Sequence, residues 1–286
     1  MLLITGAHGF LGRHIQPYFP NAIYPKSDKI DLLKSGIVSD YVRAIRARKI
    51  LHLAARCGGI KYNQDNPALL IRDNIQMALN VFEAARINDV EEVITIGSTC
   101  QYPVGLVPPF KVGNMWQGPP EPTNGGYGIA KRVICEIGQA YQTQYGINHK
   151  HIILANLYGP GDTSNHVIPD LIRKALNDDK IKAWGDGHSK REFLYVKDAA
   201  KIIKDLTGLQ FEGAVNVGSK EIIGIHELIG IIQRVLGCHK KIEYSMEMNG
   251  QRERLLDSQY QGTTRLEDGL RKTIAWVKAN RALTKE

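Results

Sequence analysis

The sequence predicts an α/β fold in which a doubly wound parallel sheet is followed by a smaller C-terminal α/β domain. The first observation is an apolar run over residues 1–4 that leads directly into glycines at positions 6, 9 and 12. The second is that further short apolar runs alternate with longer stretches whose apolar residues recur at helical spacing. Strands that alternate with helices form parallel sheets with right-handed crossovers, so the two observations together favour a Rossmann-type arrangement.

The N-terminal half alternates strands and helices in a regular order. Prolines at 17 and 20 stop the first helix, and each strand is a short apolar run. We expect strands over 22–24, 49–55, 93–98 and 149–156. We expect helices over 10–19 and 68–87, and a further helix that begins at about 127. The two long helices carry apolar residues at helical spacing, which indicates core or subunit contact and not a cofactor site.

The second half departs from this alternation. Residues 102–124 are rich in proline and glycine and lack periodicity, so we expect a long active-site loop there. Beyond Gly159 the patterns at 168–176, 182–184 and 225–236 no longer extend the nucleotide-binding fold. The expected domains are an NADP-binding Rossmann domain from 1–158 and about 193–217, and a nucleotide-sugar-binding domain from 159–192 and 218–286.

Composition favours an ordinary soluble globular protein with a sizeable core. Of the 286 residues 43% are hydrophobic, and no stretch reaches the roughly 18 continuous apolar residues of a membrane span. The N-terminus begins as a buried strand and not as a cleavable leader, so we expect a cytoplasmic location. No paired metal-ligand spacing occurs among the cysteines, which we interpret as thiols: Cys57, Cys100, Cys135 and Cys238.

The chain is basic, since 37 lysines and arginines against 29 acidic residues give a net charge of +8. Such an excess permits nucleic-acid binding, but the basic residues are scattered and form no helical stripe with interleaved aromatics. A phosphate-rich cofactor and a phosphate-rich substrate account for the excess as well. We expect neither a nucleic acid nor a membrane as a partner.

The glycines after the first strand predict a dinucleotide site. A glycine turn between a strand and a helix lets backbone amides approach a pyrophosphate at the helix N-terminus. The end of the second strand then selects the cofactor, because an acidic residue there binds the ribose hydroxyls of NAD. This chain has Lys26 and Ser27 instead, which can hold a 2′-phosphate, so NADP(H) is favoured over NAD. The alternative is a solvated basic loop.

A serine, a tyrosine and a lysine predict the chemistry. Tyr127 and Lys131 are four residues apart at the start of a helix, so they share one face. A cation beside the phenol would lower its pKa from about 10 and suit it to proton transfer. A lone pair of this kind is most often a surface pair. The glycine turn, and Ser98 at the end of another apolar strand, favour the catalytic interpretation.

These stretches resemble the extended short-chain dehydrogenase/reductase family. Longer motifs resemble its GDP-L-fucose synthase branch, the GDP-4-keto-6-deoxymannose 3,5-epimerase-4-reductases, from Met1 to about Asp257. The motifs are Ala54-Ala-Arg-Cys-Gly-Gly-Ile60, Gly97-Ser-Thr-Cys-Gln-Tyr-Pro103, Glu121-Pro-Thr-Asn124, Asn156-Leu-Tyr-Gly-Pro160, Asn165-His-Val-Ile-Pro169, Trp184-Gly-Asp-Gly and Arg191-Glu-Phe-Leu.

The resemblance implies a role for each matching residue. Ser98, Tyr127 and Lys131 would be the reductase residues, and Cys100 and His166 the epimerising base and acid. Cofactor contacts are expected at Gly6, His8, Gly9, Phe10, Leu11, Gly12, Lys26, Ser27, Asp31, Leu32, Leu53, Ala54, Ala55, Tyr127, Lys131, Asn156, Leu157 and His166. Substrate contacts are expected at Ser98, Asn156, Val167, Lys174, Trp184, Arg191 and Arg254. No metal is expected.

The residue types fit epimerisation beside a 4-keto group. That reaction removes a proton from one face of the sugar and delivers one to the other, and a thiolate and an imidazole can exchange those roles near neutral pH. Taken alone, Cys100 is more often a small buried hydrophobe, and His166 a histidine at a helix start. Their places in two motifs favour the functional interpretation.

The chain also departs from the pattern of the branch it resembles. Many members have arginine where this chain has His8 in the glycine turn. Thr99 and Gln101 flank the cysteine where a serine and an apolar residue are usual. Lys174 takes the place of an arginine, and Arg254 the place of a substrate-binding lysine. Most of these changes surround the sugar and the diphosphate, so the identity of the hexose, or even a heptose, stays open.

We therefore expect NADPH-dependent 3,5-epimerisation and C4 reduction of GDP-4-keto-6-deoxy-D-mannose to GDP-L-fucose. A C4-reductase, or an epimerase/reductase of another GDP-linked 4-keto sugar, is the alternative within the enzyme class. A non-catalytic NADP(H)-binding sensor is the alternative from another class, and the intact Ser98, Tyr127 and Lys131 set counts against it. The resemblance also implies a homodimer through the helices at 68–87 and 127–145.

Overall fold

The computed structural model describes residues 1–245 and 251–280. Its strands are β1 (Leu2–Thr5), β2 (Lys49–His52), β3 (Glu92–Ser98), β4 (Asn148–Leu154), β5 (Asn156–Tyr158), β6 (Lys180–Trp184), β7 (Lys190–Tyr195), β8 (Gly213–Gly218), β9 (Ile222–Gly224), β10 (Lys241–Ser245), β11 (Glu253–Arg254) and β12 (Tyr260–Gln261). Its α-helices are α1 (Phe10–Ile15), α2 (Ser35–Ala44), α3 (Ile60–Asp65), α4 (Pro67–Ile87), α5 (Gly125–Tyr145), α6 (Val167–Asn177), α7 (Val196–Gly208), α8 (Ile225–Leu236) and α9 (Leu266–Ala279). None of the helices in these ranges is both long and apolar enough to cross a membrane.

A parallel sheet forms the centre of the fold, with six strands in the order β1-β2-β3-β4-β8-β12. Successive residues of one strand face opposite sides, so a sheet covered on both sides needs apolar residues at adjacent positions. Ile50 and Leu51 in β2 show this arrangement. Ile50 packs into a core with α2 and α4, and Leu51 packs into a separate core with α1 and α7. The predicted doubly wound α/β fold is confirmed.

Two short elements near the N-terminus differ from the prediction. The helix predicted over 10–19 ends at Ile15 and continues only as a 3₁₀ turn, because Pro17 lacks the N–H that an α-helix requires there. The strand predicted over 22–24 is reduced to a single parallel bridge between Ile23 and Leu3. Pro25 cannot donate the next hydrogen bond of that ladder, so the pairing stops.

A second set of elements packs beside the main sheet. β7 pairs with β5, β9 and β11, and β6 pairs with β10. α6, α8 and α9 share a core with these strands, built from fully buried side chains such as Ile172, Leu228 and Leu270. β12 lies at the edge of the main sheet beside β8, a late return of the chain that the sequence did not predict. The boundaries of the two domains stay a prediction.

The two long helices α4 and α5 pack against each other along their length. The ring centroids of Phe82 and Tyr141 lie 5.4 Å apart, and the Tyr141 hydroxyl donates to Glu83 at 3.0 Å. Ile71 and Leu79 on α4 remain exposed in the single chain. The homodimer through these two helices stays a prediction.

Candidate active site

One large cavity of about 1560 Å³ opens at the edge where β1 to β4 end. Parallel strands present their carboxyl ends at the same edge, where ligands of such sheets bind. α6, β6 and β7 contribute the opposite wall. Every residue assigned from the sequence to cofactor, catalysis or substrate lines this one cavity. Its volume exceeds the roughly 300 to 1,000 Å³ of a pocket for one small ligand, so a cofactor and a substrate can fit together.

The glycine turn between β1 and α1 lies tightly against its neighbours. Gly6 has a φ of +71°, and a Cβ at this position would lie 2.5 Å from the backbone nitrogen of Ala54. A Cβ on Gly12 would lie 2.5 Å from the carbonyl carbon of Ala7. Glycine alone permits these approaches without displacing backbone. The turn therefore presents bare backbone to the cavity at the start of α1.

The loop that follows Ile23 places Lys26 and Ser27 at the cavity rim, where both side chains are exposed. His8 in the glycine turn joins this loop, because its Nε2 lies 3.2 Å from the Tyr24 carbonyl oxygen. The Asp31 carboxylate accepts a hydrogen bond from the Leu33 amide at 3.0 Å. The predicted cofactor residues of the glycine turn and of this loop therefore lie together.

A tight turn at the end of β3 carries Ser98 and Cys100. The Ser98 hydroxyl accepts a hydrogen bond from the Cys100 amide at 3.3 Å, and the Gln101 side-chain oxygen accepts one from the Ser98 amide at 3.0 Å. The two bonds form a reciprocal capping box around the 3₁₀ turn Thr99–Gln101. The start of α5 lies against this turn, since a Cβ on Gly128 would be 2.2 Å from the Cys100 carbonyl oxygen.

Tyr127 and Lys131 lie on the face of α5 that meets the turn. The Lys131 ammonium donates a hydrogen bond to the Ile96 carbonyl oxygen at 2.7 Å. The same nitrogen lies 5.5 Å from the centroid of the Tyr127 ring. Burial lowers the pKa of Lys131 to about 8. The lysine is thus fixed over the tyrosine ring and mostly charged at neutral pH.

The predicted effect of Lys131 on the Tyr127 hydroxyl is wrong in this structure. Burial raises the pKa of Tyr127 well above its usual value, and negative charge at the nearby sulfurs of Cys57 and Cys100 raises it further. The ammonium lies over the ring and bonds to Ile96, so it does not offset the loss of hydration of a phenolate. Tyr127 therefore carries its proton at neutral pH, which is the form that a proton donor needs.

Cys100 faces a buried ion pair that the sequence did not predict. The Sγ atom of Cys100 accepts a hydrogen bond from Arg254 Nη1 at 3.6 Å. The other terminal nitrogen of Arg254 pairs with the Glu121 carboxylate, and both side chains are buried. Arg254 was expected to contact the substrate, and it does line the cavity, but its guanidinium is directed at Cys100 and Glu121.

His166 stands at the start of α6 on the opposite wall of the cavity. Its Nδ1 lies 2.8 Å from the Ser164 hydroxyl, and the ring is exposed to the cavity. Because Nδ1 is engaged by a hydroxyl, Nε2 is the nitrogen left to exchange a proton. Cys57 also lines the cavity as a second thiol, and all four cysteines are unpaired, as expected.

The predicted substrate residues form a mostly polar patch beside α6. The Lys174 ammonium pairs with Asp170 at 2.7 Å and lies 5.9 Å from the centroid of the Trp184 indole. Trp184 is 47% exposed, so its ring is open to stacking. The Arg191 guanidinium donates to the Lys190 carbonyl oxygen at 2.8 Å. The remaining predicted contacts on this side of the cavity are Asn156 and Val167.

A buried hydrogen-bond chain, from His149 through Thr95 and His151 to Gln101, supports the Ser98 turn from below. Gln101 Oε1 lies 3.3 Å from His151 Nε2, so His151 donates from Nε2 and accepts at Nδ1 from the Thr95 hydroxyl at 2.7 Å. The Thr95 oxygen then accepts from His149 Nε2 at 2.9 Å. Burial lowers the pKa of His149 to about 4 and that of His151 well below its usual value. Both rings are therefore neutral.

Comparison with known proteins places the chain in a family. The profile of the NAD dependent epimerase/dehydratase family matches residues 2–218. A GDP-L-fucose synthase from Sinorhizobium fredii is 35% identical over an alignment of 292 positions, which covers 94% of this chain and 93% of that protein. The chain belongs to the NAD dependent epimerase/dehydratase family. The family resemblance drawn from the motifs, and the expectation of an enzyme, are confirmed.

Two solved structures have the same fold as this chain. A GDP-L-fucose synthetase from Naegleria fowleri bound to NADP has a TM-score of 0.88 at 23% identity, over 100% of this chain and 94% of that chain. A GDP-6-OMe-4-keto-L-xylo-heptose reductase from C. jejuni has a TM-score of 0.87 at 20% identity, over 97% of both chains. At these identities the likeness shows the fold.

Proposed function

We propose that this member of the family uses NADPH to epimerise and reduce GDP-4-keto-6-deoxy-D-mannose, which yields GDP-L-fucose. The observation that carries the proposal is that one cavity is lined both by Ser98, Tyr127 and Lys131 and by Cys100 and His166. The first set provides a proton donor for a reduced carbonyl. The second provides two groups that exchange protons with carbon. The name of the Sinorhizobium fredii relative supports the same product.

NADP(H) fits the residues around the glycine turn. The missing side chains at Gly6 and Gly12 allow a pyrophosphate to approach the backbone at the start of α1. Lys26 and Ser27 at the rim supply a cation and a hydroxyl for a 2′-phosphate. When it is bound, NADPH supplies the hydride that C4 receives. The protein supplies the orientation and the proton.

Tyr127 donates the proton in the reduction step. Its raised pKa keeps the hydroxyl protonated until negative charge develops on the C4 oxygen, when the proton passes from the phenol to that oxygen. Ser98 supplies a second hydroxyl at the end of β3 to hold the same oxygen. The Lys131 ammonium, 5.5 Å from the ring centroid, holds the ring in place.

Cys100 and His166 carry the epimerisation. The Cys100 thiolate removes the proton from C3 or C5, where the neighbouring 4-keto group takes up the electron pair as an enolate. His166 delivers a proton to the opposite face of the same carbon, and solvent restores both groups. The Arg254 guanidinium donates a hydrogen bond to the Cys100 sulfur at 3.6 Å.

Proton exchange with solvent tests the epimerase assignment. In deuterated water and without NADPH, the wild-type protein should incorporate deuterium at C3 and C5 of the 4-keto sugar nucleotide. Cys100→Ser keeps the size but replaces a thiol of pKa about 8.5 with a far weaker acid, so exchange should slow by orders of magnitude. His166→Gln should slow delivery of the new proton. Both variants should still reduce C4 slowly, because Tyr127 is unchanged.

A C4-reductase of another GDP-linked 4-keto sugar, including a heptose, is the second candidate. The name of the C. jejuni neighbour favours a heptose, and two of the departures, Lys174 and Arg254, line the cavity. Oxidation of NADPH in the presence of a panel of 4-keto GDP-, UDP-, CDP- and dTDP-sugars separates the candidates. Reduction without any deuterium uptake at C3 or C5 would leave the reductase standing and remove the epimerase. If NADPH is oxidised with none of these sugars, the result would favour the non-catalytic NADP(H)-binding sensor.

A further inference from the structure

The wall of the cavity beside Cys100 holds two opposite charges that are almost completely buried. Arg254 is 7% exposed and Glu121 is 5% exposed. One terminal nitrogen of Arg254 pairs with Glu121 Oε2, and the other donates to Cys100 Sγ at 3.6 Å. The second oxygen of Glu121 accepts a hydrogen bond from the Gln251 backbone amide at 3.1 Å. The carboxylate is therefore fixed on both sides.

The arrangement depends on an arginine. A guanidinium presents its N–H groups in a rigid plane, so Arg254 can form an ion pair with Glu121 through one terminal nitrogen and donate to Cys100 with the other. A lysine is a single charged point on a flexible stem and has no fixed second direction. This position carries a lysine in the pattern that the chain resembles. The contact with Cys100 is therefore a feature of this chain's own residues.

We propose that Arg254 stabilises the thiolate form of Cys100 and that Glu121 holds Arg254 in place while offsetting part of its charge. Arg254 touches the reacting sulfur, and Glu121 is a positioning residue that acts through Arg254. The inference rests on the proposed function only where it makes Cys100 the base. The charge pair itself acts on the thiol of the resting protein, before any substrate is bound.

Other groups close to Cys100 set the size of the effect. Arg191 on β7 is a second cation near the thiol, and Tyr127 on α5 is neutral at neutral pH. Cys57, in the segment after β2, is a second thiol, exposed at the same cavity. Glu121 is the anion on the opposite side of Arg254. Loss of Arg254 thus leaves one cation beside the thiol. The expected change in the rate of Cys100 alkylation therefore lies at the low end of the range for loss of a neighbouring charge.

Alkylation of Cys100 by iodoacetamide measures the thiolate directly in the full-length protein. The thiolate displaces iodide, and mass spectrometry of the Cys100 peptide follows the rate as a function of pH. Arg254→Met should make alkylation about tenfold slower at neutral pH. Glu121→Gln keeps an oxygen that can hold Arg254 in place but removes the offsetting negative charge, so alkylation should become about threefold faster.

A matched control is available two residues away. Arg252 is exposed over 86% of its side chain and lies 3.9 Å from Asp186, so Arg252→Met removes the same charge without touching the pair. Its Cys100 alkylation rate should equal that of the wild type. Cys238, which lies in the core around α8 away from the cavity, serves as an internal reference in every variant. Arg254→Lys keeps the charge but loses the planar guanidinium that reaches both partners. Its Cys100 alkylation rate should lie between those of the wild type and Arg254→Met.

The signs of the changes decide the inference. Opposite shifts for Arg254→Met and Glu121→Gln support it, because a merely structural pair would loosen the site in the same direction when either half is lost. Shifts in the same direction, or none, overturn it. If Arg254→Met does not fold, Arg254→Lys and Glu121→Gln still give the comparison. Alkylation needs no sugar, so failed deuterium exchange with the expected alkylation pattern would overturn the proposed function alone.

Discussion

Replacing Gln101 with leucine should destabilise the protein although the volume is nearly kept. The Gln101 side chain is fully buried, and its oxygen accepts from the Ser98 amide at 3.0 Å and from His151 Nε2 at 3.3 Å. Leucine has no acceptor, so Gln101→Leu leaves both donors buried and unsatisfied. Each such donor costs about 1 to 3 kcal/mol. The apolar side chain recovers part of this, and we expect the free energy of unfolding to fall by about 3 kcal/mol.

Gln139→Leu is the matched control, because Gln139 is exposed on α5 and the change should stay within about 0.5 kcal/mol. Urea unfolding followed by circular dichroism measures both variants. The double variant Gln101→Leu/His151→Leu removes donor and acceptor together. It should cost at least about 1 kcal/mol less than the sum of the single changes.

Nitrogen NMR independently checks the direction of the hydrogen bonds that run from His149 through Thr95 and His151 to Gln101. In both His149 and His151 the proton should be on Nε2, and the spectra should not change across the neutral range because both rings stay neutral. A proton on Nδ1 of His151, or a double variant whose cost is the plain sum, would refute the chain as we describe it.

Three further measurements address the site and the stability. Tyr127→Phe should lower the rate of C4 reduction by about 10² to 10⁴, with substrate binding much less affected, and near-normal turnover would remove Tyr127 from the mechanism. The wild type should prefer NADPH to NADH in kcat/KM by at least about tenfold, and Lys26→Ala should erode the preference; equal values in the wild type would contradict the cofactor assignment. Burial raises the pKa of Glu192 to about 7, although the Leu256 and Ser219 amides donate to it. Since this pKa is higher in the folded state than in the unfolded state, Glu192 contributes its full stabilisation below about pH 4.5. As the pH rises through 7, the free energy of unfolding should fall by about 3 kcal/mol. Glu192→Gln should abolish that loss in urea unfolding at different pH values.

The fold was predictable because its signals are local. A run of apolar residues that stops at a glycine turn, or an apolar stripe along the α4 stretch, needs no distant partner to be recognised. The same reasoning failed at residues 22–24, where Pro25 ends the pairing after one bridge. It also missed β12, because two residues carry no periodicity and the strand exists only through its pairing with β8.

The site was predictable as a set of residues but not as a set of interactions. The motifs named Cys100, Tyr127 and Arg254, and all three line the cavity. Nothing in the spacing indicated that Glu121 and Arg254 form a buried pair, because segments distant in the chain meet only in the folded protein. The predicted direction of the Tyr127 pKa shift was wrong for a similar reason, since the Lys131 ammonium four residues away donates to the Ile96 carbonyl oxygen.

The structure separates the two kinds of proton transfer that the proposed reaction requires. Reduction at C4 needs a group that keeps its proton until negative charge develops, and burial provides this at Tyr127 by opposing the phenolate. Epimerisation needs a group that has already lost its proton, and the proposed role of the Arg254 guanidinium, which donates to Cys100 at 3.6 Å, is to favour that state. Each group also supports the other, because a thiolate near Tyr127 makes ionisation of the phenol still less favourable. Loss of the Arg254 charge should therefore slow deuterium exchange at C3 and C5 while reduction by Tyr127 is largely retained, which is the opposite of the pattern expected for Tyr127→Phe.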